Sequence, residues 1–277
     1  MSETNQSECS KESCAGCAHA GNCESQKTDF RKPANPFSNI KKVIGVVSGK
    51  GGVGKSMVTA SIARQLKASG YEVGIMDADI TGPSIAKMYG LHNQIIGTEA
   101  GWIPCTAKDG TKVASVNLML QSEEDPVIWR GPVVSGLVEQ FWTDIMWGDL
   151  DVLLIDMPPG TGDVPLTVFQ SLPVDGIVIV TSPQDLVRMI VTKAYNMAKQ
   201  MNIPVLGIVE NYSYLECPDC GKKINVFGES HIEEIAKDLG CEVLGKMPID
   251  PKLAEMVEKE KFYEVENVYL NNIAEKI

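Results

Sequence analysis

The sequence predicts an α/β fold, a doubly wound and mostly parallel sheet, and three observations predict it. Short apolar runs at residues 43–47, 72–77, 151–156, 176–181 and 204–210 have the length and β-branched content of strands buried on both faces. Between them, residues 57–66 and 186–201 carry apolar side chains at helical spacing, and strands alternating with helices imply βαβ crossovers. Several of the runs close on chemically active residues, a Gly/Lys cluster after Val47 and then Asp77, Asp156 and Asn211. The carboxyl ends of parallel strands are where α/β ligands bind.

The 277 residues suffice for one large α/β domain. Residues 39–277 are predicted to form it. Residues 1–30 are polar, without hydrophobic period, and hold four cysteines, while 31–38, with Pro33 and Pro36, are expected to be a linker. A net charge of −11 disfavours a broad grip on nucleic acid. No apolar stretch approaches the roughly 20 residues of a membrane span, and the polar start lacks the apolar core of a signal peptide. The expectation is a cytoplasmic protein without nucleic-acid or membrane partners.

Gly49-Lys50-Gly51-Gly52-Val53-Gly54-Lys55-Ser56 matches G-x-x-x-x-G-K-[ST] between a strand and a helix. Small residues let backbone N–H groups curl around a polyphosphate, Lys55 neutralises its β/γ oxygens, and the Ser56 hydroxyl ligates Mg²⁺. The helix beginning at Met57 adds a dipole favourable to anions, so Gly49 to Met57 are the predicted nucleotide contacts. Asp156 closes an apolar run in the Walker B pattern and is the expected Mg²⁺ partner. The following Pro158-Pro159-Gly160-Thr161-Gly162 is a candidate γ-phosphate sensor. Asp79 is assigned the attacking water, Asp77 the Mg²⁺ hydration shell, Asn211 the adenine and Asp250 a place near the base. Lys50 is not needed to cradle one nucleotide. It is either a solvated charge or serves another phosphate geometry.

The eight cysteines are clustered. Cys9-x4-Cys14-x2-Cys17, with Cys23 as a fourth thiolate, has plant-type ferredoxin spacing and suits a [4Fe–4S] cluster. Zinc is the rival, with His19 an alternative fourth ligand. Cys217-Pro-Asp-Cys220-Gly is a tight knuckle aiming two sulfurs at one point. Two ligands cannot complete a tetrahedral site, so the pair needs two from elsewhere, and a twofold dimer supplies them; a redox dithiol is the competing reading. Cys105 and Cys241 have no close partner in sequence and are read as small apolar residues.

The loop resembles the deviant Walker A of the family that includes the nitrogenase iron protein, MinD, ParA and the Mrp-type iron–sulfur carriers. The resemblance implies that Lys50 reaches across a dimer to the partner's nucleotide and, with Lys55 and Asp79, serves hydrolysis. Residues 49–56, 77–84, 129–132, 147–184 and 209–221 look like the Mrp/ApbC branch, and the N-terminal cysteines are similar to those of its eukaryotic cytosolic scaffold member, with a shorter gap between Cys9 and Cys14. That likeness implies an ATPase with ATP, Mg²⁺ and a [4Fe–4S] cluster. The cluster would be bridged by Cys217 and Cys220 of two subunits, taken from a cluster donor and passed to apo-proteins. The alternatives are a ParA- or MinD-like positioning ATPase and a zinc-stabilised, nucleotide-dependent adaptor.

Overall fold

Strand β1 (Ser38–Ser48) is the axis of the sheet, because each of its faces feeds a separate apolar core. The computed structural model describes residues 30–80, 82–120, 131–184, 187–266, 268–270 and 272–277, with the backbone alone at 131 and 132. The candidate ligands Cys9, Cys14, Cys17 and Cys23, with His19, lie outside the described residues. Residues 31–277 form one compact unit.

After β1 come α1 (Lys55–Ala68), β2 (Val73–Asp77) and a short α2 (Ile85–Met88), then four brief strands, β3 (Ile96–Thr98), β4 (Gly101–Ile103), β5 (Cys105–Thr106) and β6 (Lys112–Ala114). Next are α3 (Gly131–Thr143), β7 (Gly148–Asp156), α4 (Asp163–Ser171), β8 (Gly176–Thr181), α5 (Val187–Gln200) and β9 (Val205–Glu210). A two-stranded hairpin, β10 (Leu215–Glu216) and β11 (Lys223–Ile224), leads to α6 (Ile232–Leu239), β12 (Val243–Lys246), α7 (Pro251–Glu258) and α8 (Ile273–Lys276). The main sheet has the order β12-β9-β8-β1-β7-β2-β6-β5 and is parallel except where β5 pairs antiparallel with β6.

Alternation along the strands explains the unbroken apolar runs. Val43 and Val47 of β1, Leu153 and Ile155 of β7, and Ile177 and Ile179 of β8 join α3, α4, α5 and α6 on one face. Ile44, Val46, Val152, Leu154, Val178 and Val180 meet α1, α7 and the C-terminal segment on the other. A strand covered on both sides has no solvent face to carry a polar residue.

Residues 31–38 are not a free linker. Lys32 N donates to Ser171 O (2.7 Å), Trp142 Nε1 to Lys32 O (2.9 Å), and the buried Asn35 donates through Nδ2 to Ala100 O and Asp144 O. A buried amide has to be satisfied, and here it ties the entry of the chain to the edge of the sheet. Strand β6 stops at Ala114. Ser115 turns its hydroxyl to Asp77 (3.2 Å) and a 3-10 turn follows at Val116–Leu118. Ile103 is exposed on the β3–β4 hairpin, whereas Trp102 packs against the core. Among the described residues no helix is long and apolar enough to cross a membrane.

Candidate functional site: a phosphate-loop cavity and a two-cysteine hairpin

Parallel register delivers the carboxylates. Asp77 of β2 is paired with Asp156 of β7, which is itself level with Val46 of β1, two residues before the chain enters the phosphate loop. The loop runs from Ser48 to α1, with Gly52 at φ 77° and Gly54 at φ 75°, a conformation that side chains disfavour. Gly54 is required for a second reason: a Cβ there would lie 2.2 Å from Asn211 Nδ2 and 2.8 Å from the Tyr212 hydroxyl. A cavity of about 260 Å³ opens over the loop, lined by Lys50, the backbone of Gly51 to Ser56, Met57, Asp79, Pro159 and Tyr212.

Asp156 is fully buried and gathers the hydroxyl and ammonium groups of the site. Lys55 Nζ lies 2.7 Å from its Oδ1, Ser56 Oγ donates to its Oδ2 at 2.5 Å, and Thr59 Oγ1 is 2.7 Å from Oδ1. Lys55 is only 6% exposed and stands 3.6 Å from Asp79. A buried cation held between two carboxylates next to a ring of backbone N–H groups is arranged to meet a polyphosphate. The loop after β7 is laced to the phosphate loop, since Gly160 N donates to Ser48 O (2.8 Å) and Pro159 approaches Gly51.

Three expectations for this region change. Asp77 does not line the cavity. It is fully buried, and its oxygens accept from Asp79 N (3.2 Å), Ile85 N (3.3 Å) and the Ser115 hydroxyl, so it shapes the loop that carries Asp79 instead of bracing Mg²⁺ through water. Burial, with the Asp156 charge adding to it, pushes its pKa up to about 8 against the opposing pull of Lys55. Asn211 is equally buried; its Nδ2 donates to Val53 O (3.0 Å) and its Oδ1 accepts the Tyr212 N–H (2.9 Å), so its amide braces the phosphate loop instead of reading adenine. Asp250 N-caps α7 through Lys252 N (2.8 Å) and accepts the Tyr269 hydroxyl (2.7 Å), so its carboxylate is occupied by a helix end. Lys50 donates to Gln184 at 2.5 Å and stands at the rim of the cavity.

Thr59, Gln184 and Tyr212 are site residues that the sequence alone does not single out. Thr59 could be found by its spacing, because it is one helical turn from Lys55 and so shares its face. Tyr212 and Gln184 arrive on strands and loops whose neighbours are set by sheet order. A larger cavity of about 540 Å³, between α5 and the segment after β11, has no phosphate-binding backbone. Its Arg188 is paired with Asp238 and Glu234, and the oxygens of its buried Glu210 accept from Ser213 and Ser230.

The hairpin is a different kind of site. Leu215 pairs with Ile224 and Glu216 with Lys223, and Cys217 N donates to Lys222 O (3.0 Å) while Gly221, at φ 70°, returns its N–H to Cys217 O (2.9 Å). Cys217 and Cys220 are free thiols, half-buried and exposed. Backbone N–H groups of Cys220 and Asp219 and the neighbouring thiol hold the Cys217 pKa below its ordinary value. Among the described residues no group of three or more His, Cys, Asp or Glu could hold a metal. Exposed Ile224, Val226 and Phe227 border it.

Residues 39–277 match the family described as ParA, NUBPL iron-transfer P-loop NTPase. A relative from Clostridium perfringens named iron-sulfur cluster carrier protein is 47% identical over 264 residues, covering 90% of this chain and 93% of its own length. A solved nucleotide-binding protein from Archaeoglobus fulgidus, in complex with ADP, is 41% identical and superposes with a TM-score of 0.75 over 83% of this chain and 90% of that one. The cell division ATPase MinD of Pyrococcus furiosus shares the fold at 19% identity and a TM-score of 0.61, over 85% of this chain and 98% of its own.

Proposed function

The chain belongs to the NUBPL iron-transfer P-loop NTPase family, and from that premise we propose that it is a cytoplasmic, ATP-hydrolysing carrier of iron–sulfur clusters. It receives a [4Fe–4S] cluster from a donor and delivers it to apo-proteins. The observation that carries this reading is the coexistence, on one chain, of a phosphate-loop cavity and a hairpin pair of free thiols, one half-buried and one exposed, to which no third His, Cys, Asp or Glu is added among the described residues.

In the nucleotide half, the loop N–H groups and Lys55 bind the β- and γ-phosphates, and Asp79 orients the water that attacks the γ-phosphorus as ADP departs. Ser56 Oγ and the Asp156 carboxylate are hard oxygen donors that fit Mg²⁺ and would hold it. The metal, when bound, supplies charge neutralisation between the β- and γ-phosphates. Lys50, at the rim, is the charge offered to the nucleotide of a second copy. In the cargo half, Cys217 and Cys220 of two subunits provide four thiolates around one cluster, so a dimer finishes both sites together. Cys9, Cys14, Cys17 and Cys23 are proposed as the ligands of a second [4Fe–4S] cluster, or of zinc.

The positioning-ATPase alternative shares only the fold. Leu270, Ile273 and Ile277 are buried against the α1 side of the sheet, so the described residues of 269–277 present no free apolar face to a membrane. Anaerobic reconstitution with iron and sulfide, followed by absorbance and EPR of the wild type and of Cys217→Ala/Cys220→Ala, tests the proposal. The wild type is expected to show a cluster that the variant loses at the bridging site. Retention of zinc alone, with identical behaviour of the two proteins, would sink the carrier reading.

A further inference from the structure

Among the described residues four other than glycine have positive φ: Asn202, Tyr212, Glu260 and Tyr269. Two of them end helices. Asn202 and Glu260 follow α5 and α7, where the next residues, Ile203 and Lys261, return their N–H groups to Ala198 O and Met256 O, the usual use of this conformation. Tyr269 places its hydroxyl on Asp250, the cap of α7. Tyr212, at φ 58°, follows a strand and serves no helix. A bulky side chain in this region is uncommon and persists only where its surroundings enforce it.

The surroundings do enforce it. Asn211 Oδ1 accepts the Tyr212 N–H at 2.9 Å while its Nδ2 holds Val53 O, and on the far side Ser213 N donates to Met247 O at 2.8 Å. The outcome is a ring set down at the C-terminal end of the phosphate loop, with Oη 2.8 Å and Cζ 3.1 Å from where a Gly54 Cβ would stand. The ring is half-buried and lines the same cavity as Ser56 and Met57. Sheet order decides which wall it makes. Asp79 and Pro159, the residues of the hydrolytic end, come from β2 and β7 on one side of β1, whereas Tyr212 comes from β9 on the other side. A nucleotide whose terminal phosphate faces Asp79 therefore carries its nucleoside toward Tyr212.

We propose that the Tyr212 ring is the platform on which the base of the bound nucleotide stacks. This rests on the nucleotide-binding half of the function proposed above. Stacking uses the face of the ring and not an edge code, and the neighbouring Asn211 amide is spent on the loop, so the platform accepts purines with little preference between adenine and guanine.

Isothermal titration of Mg-ATP, Mg-GTP and inorganic Mg-tripolyphosphate tests it on the wild type, Tyr212→Ala and Tyr212→Phe. Tyr212→Ala is expected to bind both nucleotides about tenfold more weakly, the effect of losing one base–aromatic stack, with tripolyphosphate affinity unchanged. Tyr212→Phe keeps wild-type affinity for all three. Equal weakening of tripolyphosphate would overturn the proposal, because the ring would then only brace Gly54, and so would unchanged nucleotide affinity in Tyr212→Ala. Should the alanine variant fail to fold, Tyr212→Leu, which fills the space without a π-face, takes its place with the same two overturning results. A wild type that binds none of the three ligands would instead sink the nucleotide-binding reading itself.

Discussion

The phosphate-loop cavity and the cysteine hairpin are built on opposite principles. Around Asp156 the charges are paired within the chain, with Lys55 and Asp156 buried, and α1 brings Lys55, Ser56 and Thr59 to the carboxylate at the end of β7. Around Cys217 the scaffold is two residue pairs of a hairpin, the thiols are half-buried and exposed, and among the described residues no third His, Cys, Asp or Glu joins them in a group that could hold a metal. Chemistry on phosphate needs preorganised charge held away from water, which a two-faced sheet supplies. Cargo that must enter and leave needs ligands that can be reached, and those belong on a loop.

The comparison is broken most severely at Asp156. Asp156→Ala strands the buried Lys55 ammonium and leaves Ser56 and Thr59 without their acceptor, so about 3–5 kcal/mol of stability is expected to go, a drop on the order of 10 °C in melting temperature. Cys217→Ala/Cys220→Ala is expected to stay within about 0.5 kcal/mol of the wild type. Calorimetric unfolding of the two variants side by side checks this, and equal losses would erase the contrast. Lys50 tests whether the buried site is truly self-contained. Lys50→Ala is expected to keep ATP affinity within about fivefold, since a rim charge is worth about 1 kcal/mol or less, and to lose hydrolysis by roughly a hundredfold or more. Turnover at the wild-type rate in a phosphate-release assay would rule out its trans-acting role.

The smallest effect sharpens the hairpin side. Hydrogen bonds that lower the Cys217 pKa favour its thiolate, so at any pH below the ordinary thiol value of 9.0 more of it is ionised than of an unperturbed cysteine. Burial raises Cys105 and Cys241 instead. Iodoacetamide is expected to modify Cys217 severalfold faster than either at neutral pH, with its pH–rate midpoint lowest of the three by mass-spectrometric peptide mapping. A midpoint at or above that of Cys105 would remove the activated thiol.

Local sequence was enough wherever one segment supplies both the backbone shape and the chemistry. Gly49 to Ser56 and the apolar run closing on Asp156 fall in this class, as does the Cys217-x2-Cys220 knuckle, because their spacing already encodes a turn, a strand end and a pair of sulfurs. The misplaced residues are those whose role depends on what lies opposite. Asp77 and Asn211 both sit at strand ends, as expected, yet Asp77 is turned under the Asp79 loop and Asn211 under the phosphate loop. Nothing local marks a buried polar group's partner, since the requirement that it be satisfied can be met by any neighbour the topology brings.

By itself, then, the sequence determined an alternating α/β chain with a phosphate loop, a strand-end aspartate and a two-thiol turn, because periodicity, glycine placement and short-range spacing act within a few residues. Tertiary structure alone decided that 31–38 docks on the domain, that Asp156 gathers Lys55, Ser56 and Thr59, and that Tyr212 faces Gly54. Those pairings span 65 residues for Asn35 and Ala100 and 100 for Ser56 and Asp156, and the Val53–Asn211 bond beside Tyr212 spans 158, distances bridged only by the order in which the strands assemble.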